Sequence, residues 1–240
     1  WMNARRGQDF WAQPKIDGVA VTVSYVNGDL ALAVSRGNGE RGEDWTAKAR
    51  RIDAVPKHID SAPEHMVLQG ELYWRIDGHV QADQGGVNAR SKVAGAMARA
   101  TLDDATARSI GWFVWDWPDG PARIEDRLAG LARFGFADPQ VYSLRVADAG
   151  DVARQRDAWF HAVLPFASDG IVIRQSLRAP APQWRAKPPA WAIAWKYPPA
   201  KALARVVAVD FSIGRTGRVT PIVHVEPVRL DDHEIRRVSL

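Results

Sequence analysis

The sequence predicts an α+β chain built on antiparallel sheets, with a small barrel-like segment at its far end. Three observations predict it. Residues 19–26 and 30–35 are β-branched or alternating on either side of Asn27-Gly28, the strongest short hairpin signal. No alternating strand–helix pattern follows, which excludes a doubly wound parallel sheet. From Val206 the text changes to short alternating strands around Gly214-Arg-Thr-Gly-Arg218, typical of a small barrel.

The elements follow in order. Residues 13–17 read as extended, so Gln13, Lys15 and Asp17 point the same way. After the hairpin comes a glycine-rich loop, Ser35-Arg-Gly-Asn-Gly-Glu-Arg-Gly-Glu-Asp-Trp-Thr46, and a short helix from about Thr46. Residues 66–74 form a strand with Glu71 inside it, and Asn88 to Arg99, rich in small residues, is partly helical. An aromatic strand over 110–117 is closed by Pro118-Asp-Gly120. Leu128, Leu131 and Phe134 mark a helix face that ends near Gly135. A helix over about 149–163 places Val152, Arg156, Trp159 and Val163 on one stripe. Ser168–Arg174 and Trp191–Tyr197 are strand-like, and the proline-rich span from Pro180 to Pro199 reads as a surface excursion ending in a domain boundary. The expected domains are residues 1–200 and 203–240.

With 240 residues, 46% of them hydrophobic and 25% charged, the chain has the make-up of a globular protein with a full core. It has no run of eighteen apolar residues and no secretory leader, so no membrane contact is expected and bacterial cytoplasm is the default. It has no cysteine, which excludes disulfides and thiolate zinc sites, and its histidines show no metal-ligand spacing. Lys+Arg 32 against Asp+Glu 28 gives +4, a mild excess compatible with a polyanion partner. Lysine is scarce, so Lys15 and Lys196, inside the two most motif-like segments, stand out.

Each candidate has a plain structural reading beside the chemical one. A lysine on a strand is ordinarily solvated; walled by apolar residues and other cations, it becomes a nucleophile. Gly37, Gly39 and Gly42 spell a dinucleotide-type loop, but the strand before them is half of a hairpin, so that reading is rejected. Arg36 at the loop mouth offers a phosphate-matching fork instead. Glu71 in an apolar strand needs a partner, either a salt bridge or a ligand. Trp115 is core or a stacking platform.

Taken together, six segments stand in a recognisable order: Lys15-Ile-Asp-Gly18, Ser35 to Asp44, Gly70-Glu71, Asp169-Gly-Ile-Val-Ile173, Ala194-Trp-Lys-Tyr-Pro198 and Ile213 to Pro221. In these the chain resembles the nucleotidyltransferase core of NAD-dependent bacterial DNA ligases over nearly its whole length. Trp11-Ala-Gln-Pro-Lys15 and Asn88 to Gly95 resemble the shorter, B-type branch. The resemblance implies a ligase/capping-type nucleotidyltransferase fold, with the nucleotide in a cleft between antiparallel sheets, followed by the first strands of an OB-fold. It implies NAD and Mg²⁺ as cofactors, nicked double-stranded DNA as partner, and a monomer. The chain opens on Trp1 and reads as an excerpt. By resemblance, a nicotinamide-binding domain precedes it and a helix-hairpin-helix clamp follows.

The resemblance also implies roles. Lys15 attacks the α-phosphate of NAD, expels nicotinamide mononucleotide and holds AMP, which then passes to the 5′-phosphate at a nick. Arg36 and Lys196 would press an amine of ordinary pKa ~10.4 toward its neutral form. Glu71 takes the ribose hydroxyl, Trp115 faces adenine, and Asp17 supports Arg36 or the ribose. Arg174 and Lys196 bound the phosphate site. Arg90 reaches the DNA-phosphate or nicotinamide side, and Arg215 and Arg218 suit a DNA backbone. Two positions depart from the commoner pattern: Gln13 stands where Glu is usual, its amide oxygen still able to accept from adenine, and Arg174 stands where Lys is usual. An ATP-dependent ligase or capping relative and a non-catalytic DNA-binding module are the rival readings; the Gly-Asn-Gly-Glu-Arg-Gly-Glu-Asp loop favours the NAD family, and joint retention of Lys15, Glu71 and Lys196 argues against decay.

Overall fold

The computed structural model describes residues 1–185, 187–230 and 233–240, which fall into two compact units, Trp1–Tyr197 and Pro198–Leu240. In the first, strands β1 (Phe10–Ile16), β2 (Gly18–Val26) and β3 (Asp29–Ser35) lead into helix α1 (Thr46–Ala49) and strand β4 (His65–Trp74). Then come β5 (His79–Val80), α2 (Gln81–Gln84), α3 (Ala89–Ala98), α4 (Asp104–Arg108) and β6 (Ile110–Asp116). Helices α5 (Ile124–Arg133) and α6 (Asp138–Val141), strand β7 (Leu144–Val146), helix α7 (Ala149–His161), and strands β8 (Val163–Leu164), β9 (Ser168–Gln175) and β10 (Ala192–Lys196) complete it.

Two four-stranded antiparallel sheets result, ordered β10-β9-β1-β7 and β3-β2-β4-β6, as the α+β reading predicts. The hairpin forms where Asn27 (φ +49°) and Gly28 (φ +83°) adopt the paired left-handed conformations that match strand twist. Alternation along β2 is clean: Val19, Val21, Val23 and Tyr25 are buried, while Ala20, Thr22 and Ser24 are half-exposed. The buried face joins Leu68, Leu72, Trp112, Val114 and Val93 in one core. The opposite face contributes Tyr73 and Phe113 to a second core with Phe10, Ala12, Ile171 and Ile173, so the two sheets face each other across it. Phe166, fully buried, is the hub, with ring centroids of Tyr142, Tyr73 and Phe113 at 5.2, 5.4 and 6.3 Å.

Helix α7 is shorter than predicted. Asp148 caps its start by accepting from the Asp151 amide, and Val152 and Trp159 are buried, but Val163 lies beyond the helix in β8 and is exposed. Pairing of β8 with β5 pulls that residue into a ladder, which a helical periodicity cannot foresee.

In the second unit β11 (Val206–Ile213), β12 (Val219–Leu230) and β13 (His233–Ser239) form an antiparallel meander. No helix among the described residues is long and apolar enough to cross a membrane.

Candidate active site around Lys15

Lys15 is presented by an irregularity in the ladder. Pro14 pairs with Ile171 but Ile16 pairs with Ser168, so Asp169 and Gly170 together oppose Lys15 as a β-bulge. Gly170 is required there: its φ is +150°, and a Cβ would lie 2.3 Å from the Trp195 carbonyl oxygen. The bulge turns Asp169 toward the lysine, whose Nζ lies 2.8 Å from Oδ1 and donates to Oδ2 at 3.0 Å. On the far side of β9, Lys196 pairs with Gly170, and its Nζ lies 2.9 Å from the same Oδ2. One carboxylate thus sits between two ammonium groups; its hydrogen bond holds the Lys196 amine above its ordinary value. Of the two cations expected beside Lys15, Lys196 is there, but across a shared carboxylate rather than in direct contact. The direct ionic partner of Lys15 is an anion, because the bulge places Asp169 between the two amines.

Behind the lysine, Asp17 and Gly18 turn the chain from one sheet into the other. Gly18 carries no side chain for a reason: a Cβ would lie 2.1 Å from the Leu72 carbonyl oxygen and 2.9 Å from Glu71 Cγ. Its own carbonyl accepts from Arg90 Nη1 at 2.7 Å, which brings α3 onto the site. Burial pushes Glu71 up to about 7, against the pull of Arg90 and Lys15. Asp17 is raised too, by burial first and then by Asp169.

Trp115 and Gln13 lie at a different place, over Arg174. The Arg174 guanidinium is 5.7 Å from the Trp115 ring centroid, donates to the Trp115 carbonyl, and lies 3.4 Å from Gln13 Oε1. Gln13 is buried, and its Nε2 donates to Ser143 Oγ at 2.7 Å. Arg174 is itself 5% exposed and paired to Asp116 at 2.6 Å, an aspartate that also faces Arg127 and Arg178 at 3.3 Å each. Burial in that cluster pulls Arg127 down to about 10. The expectation that Arg174 and Lys196 bound one phosphate site is therefore corrected. Lys196 stands opposite Gly170, Arg174 lies four residues further along β9, and its donors are committed to Asp116 and the Trp115 carbonyl.

Arg36 follows β3, its amide donating to the carbonyl of Ala20, which pairs with Glu71 in the ladder, and its side chain is exposed without a partner among the described residues. The glycine loop after it folds on itself: Asn38 Oδ1 accepts from the amides of Glu40 and Arg41. Arg215 and Arg218 lie in the second unit, exposed on the β11–β12 turn, which Gly217 (φ +78°) and the Gly214 amide bond to the Arg218 carbonyl close. The structure thus gathers Lys15, Asp17, Glu71, Arg90 and Lys196 around Asp169, and Gln13 and Trp115 around Arg174. Sequence reasoning misses Asp169 as a site residue although it opens Asp169-Gly-Ile-Val-Ile173; Asp116, closing an aromatic strand, carries no signal at all.

The model of the NAD-dependent DNA ligase adenylation domain matches residues 2–200, and that of the NAD-dependent DNA ligase OB-fold domain matches residues 203–240. DNA ligase B of Pseudomonas fluorescens (strain Pf0-1) is 52% identical over 240 residues, all of this chain and 42% of that protein, so the chain spans about two fifths of this curated relative's length. Two solved structures named Pmar-Lig_Pre and Pmar-Lig_PreS3 each align with a TM-score of 0.57 at 14% identity, over 99% of this chain and 53% of theirs. They share its fold.

Proposed function

The chain belongs to the NAD-dependent DNA ligase family, and from that premise we propose that it carries the adenylating centre of a ligase that seals nicked double-stranded DNA. Residues 1–200 are the adenylation domain and 203–240 the opening strands of an OB-fold domain. The observation that carries the reading is the Lys15–Asp169–Lys196 bridge, which holds one amine on a carboxylate shared with a second cation.

Lys15 Nζ must shed a proton before it attacks, and Asp169 is the acceptor within hydrogen-bond reach. Nζ then bonds to the α-phosphorus of NAD as the bond to nicotinamide mononucleotide breaks. Lys196 and, from the mouth, Arg36 neutralise charge gathering on the phosphoryl oxygens. A 5′-phosphate oxygen at the nick next displaces the lysine from AMP, and the 3′-hydroxyl attacks that phosphate with release of AMP. Glu71, with Asp17 beside it, accepts from the ribose. Trp115 and Gln13 form the adenine side, and Arg174 supports them from beneath. Arg90 at the site, and Arg215 and Arg218 on the barrel turn, meet the DNA backbone.

No group of three or more His, Asp or Glu side chains among the described residues could cage a metal. Mg²⁺, which binds through substrate phosphates and one or two carboxylates, would arrive with the phosphates and supply charge neutralisation there. The protein acts as a monomer in the bacterial cytoplasm.

The test is direct. The complete polypeptide carrying this chain is incubated with radiolabelled NAD or ATP, and the protein is resolved on a denaturing gel. Label from NAD alone, abolished by Lys15→Ala, is expected; label from ATP, or label surviving the substitution, refutes the reading.

A further inference from the structure

Lys196 occupies an exposed position for a residue whose placement matters. It ends β10, the edge strand of its sheet, with prolines following at 198 and 199, and its side chain is 69% exposed. An edge strand has one neighbour, and a terminal carbonyl there has no ladder partner on its outer side.

Helix α7 supplies a partner. Arg156 donates to the Lys196 carbonyl from Nε at 3.1 Å and from Nη2 at 2.5 Å, a fork closed on one oxygen. Its guanidinium also lies over the rings flanking that residue, 4.7 Å from the Trp195 centroid and 5.3 Å from the Tyr197 centroid. Alternation puts Trp195 and Tyr197 on the face toward α7 and the Lys196 side chain on the other, toward Asp169. Phe160, one helical turn after Arg156, packs on Tyr197 at 4.7 Å, and the Tyr197 amide donates to the Asp169 carbonyl at 2.9 Å. The grip therefore fixes from behind the backbone that carries Lys196, while the amine on the other face meets Asp169.

We infer that Arg156 is a positioning residue for the adenylyl-transfer step, acting through Lys196. It does not touch Lys15 or Asp169, so any effect on chemistry passes through the β10 backbone. A residue that merely stabilised the fold would slow no step selectively and would act independently of Lys196. The inference rests on the ligase reading above.

Single-turnover formation of the Lys15 adenylate from labelled NAD decides it, in the complete polypeptide, for wild type, Arg156→Ala, Arg156→Lys, Lys196→Ala and the Arg156→Ala/Lys196→Ala double variant, with melting temperatures alongside. Arg156→Ala should slow the step about 10- to 100-fold, the range for small misplacement of a catalytic group. Arg156→Lys, which keeps a cation but neither fork nor flat stack, should recover only part of the rate and stay more than about threefold below wild type. The double variant should be no more than about twofold slower than Lys196→Ala alone, because the arginine has nothing left to position. A rate within about threefold of wild type in either single Arg156 variant, or losses that multiply in the double variant, overturns the inference. Should Arg156→Ala not fold, Arg156→Lys decides by the same threshold. Failure of the wild type to form any adenylate refutes the ligase reading itself, a distinct result.

Discussion

Glu71 should make the protein less stable as pH rises, and replacing it with glutamine should remove that dependence. Its carboxyl moves from the ordinary 4.5 to about 7 because burial disfavours the anion more than Arg90 and Lys15 favour it. Below about 4.5 both folded and unfolded chains hold the proton. Between 4.5 and 7 the unfolded chain releases it first, so each pH unit costs the folded state about 1.4 kcal/mol. Above 7 both are ionised and the full cost, about 3 kcal/mol, stands. Glu71 is half-buried, and rearrangement of water and side chains blunts this to about 1–3 kcal/mol. At about 2–4 °C per kcal/mol for a chain this long, Glu71→Gln should gain about 2–12 °C over wild type between pH 4.5 and 8. Thermal unfolding of both proteins across that range gives the difference curve, in which the other titrating groups largely cancel. A flat difference, or one in which the glutamine variant loses ground as pH rises, would refute the reasoning.

Three further outcomes follow from the geometry. Asp116→Asn should lower stability by about 3–5 kcal/mol, because it strands three buried guanidiniums of Arg127, Arg174 and Arg178; denaturant unfolding with a loss under about 1 kcal/mol would contradict the cluster. Gly18→Ala should destabilise by about 2–3 kcal/mol and abolish adenylation, since its methyl meets the Leu72 carbonyl; wild-type melting would show that the turn has slack. Arg215→Ala in the complete polypeptide should weaken nicked-DNA binding and reduce the salt slope by about 1, and an unchanged slope would make the barrel turn purely structural.

Much of the fold was legible because it rests on local patterns. Asn27-Gly28 fixes a turn hand, the β2 residues alternate, and the extended stretches at 66–74, 110–117 and 168–174 are long enough to read. Lys15, Glu71 and Lys196 were legible as a set because each lies in a segment of unusual composition and the segments keep their order. The end of α7 was not legible, because Val163 fits the helical stripe as well as the strand pairing that captures it. The partners of the charged residues were less legible still. Asp116 and Arg174 are 58 residues apart, and nothing periodic links them.

That difference has a physical origin. Hydrophobic periodicity reports burial of a whole face, so many residues repeat the same message and an error in one is corrected by the next. An ion pair is a single long-range event, and its sign depends on which residue the fold places opposite. Lys15 shows the consequence. From sequence, the charges set against the amine were Arg36 and Lys196, both cations, and repulsion was the inference. One bulge at Asp169-Gly170 reverses it, because it inserts a carboxylate between the amines. The two lysines are then held by attraction to a shared anion in the resting protein, and in the proposed reaction an entering phosphate would compete with Asp169 for both of them. On the proposed ligase reading, the resting bridge would keep both amines aimed where charge arrives, with little reorganisation left for the step itself.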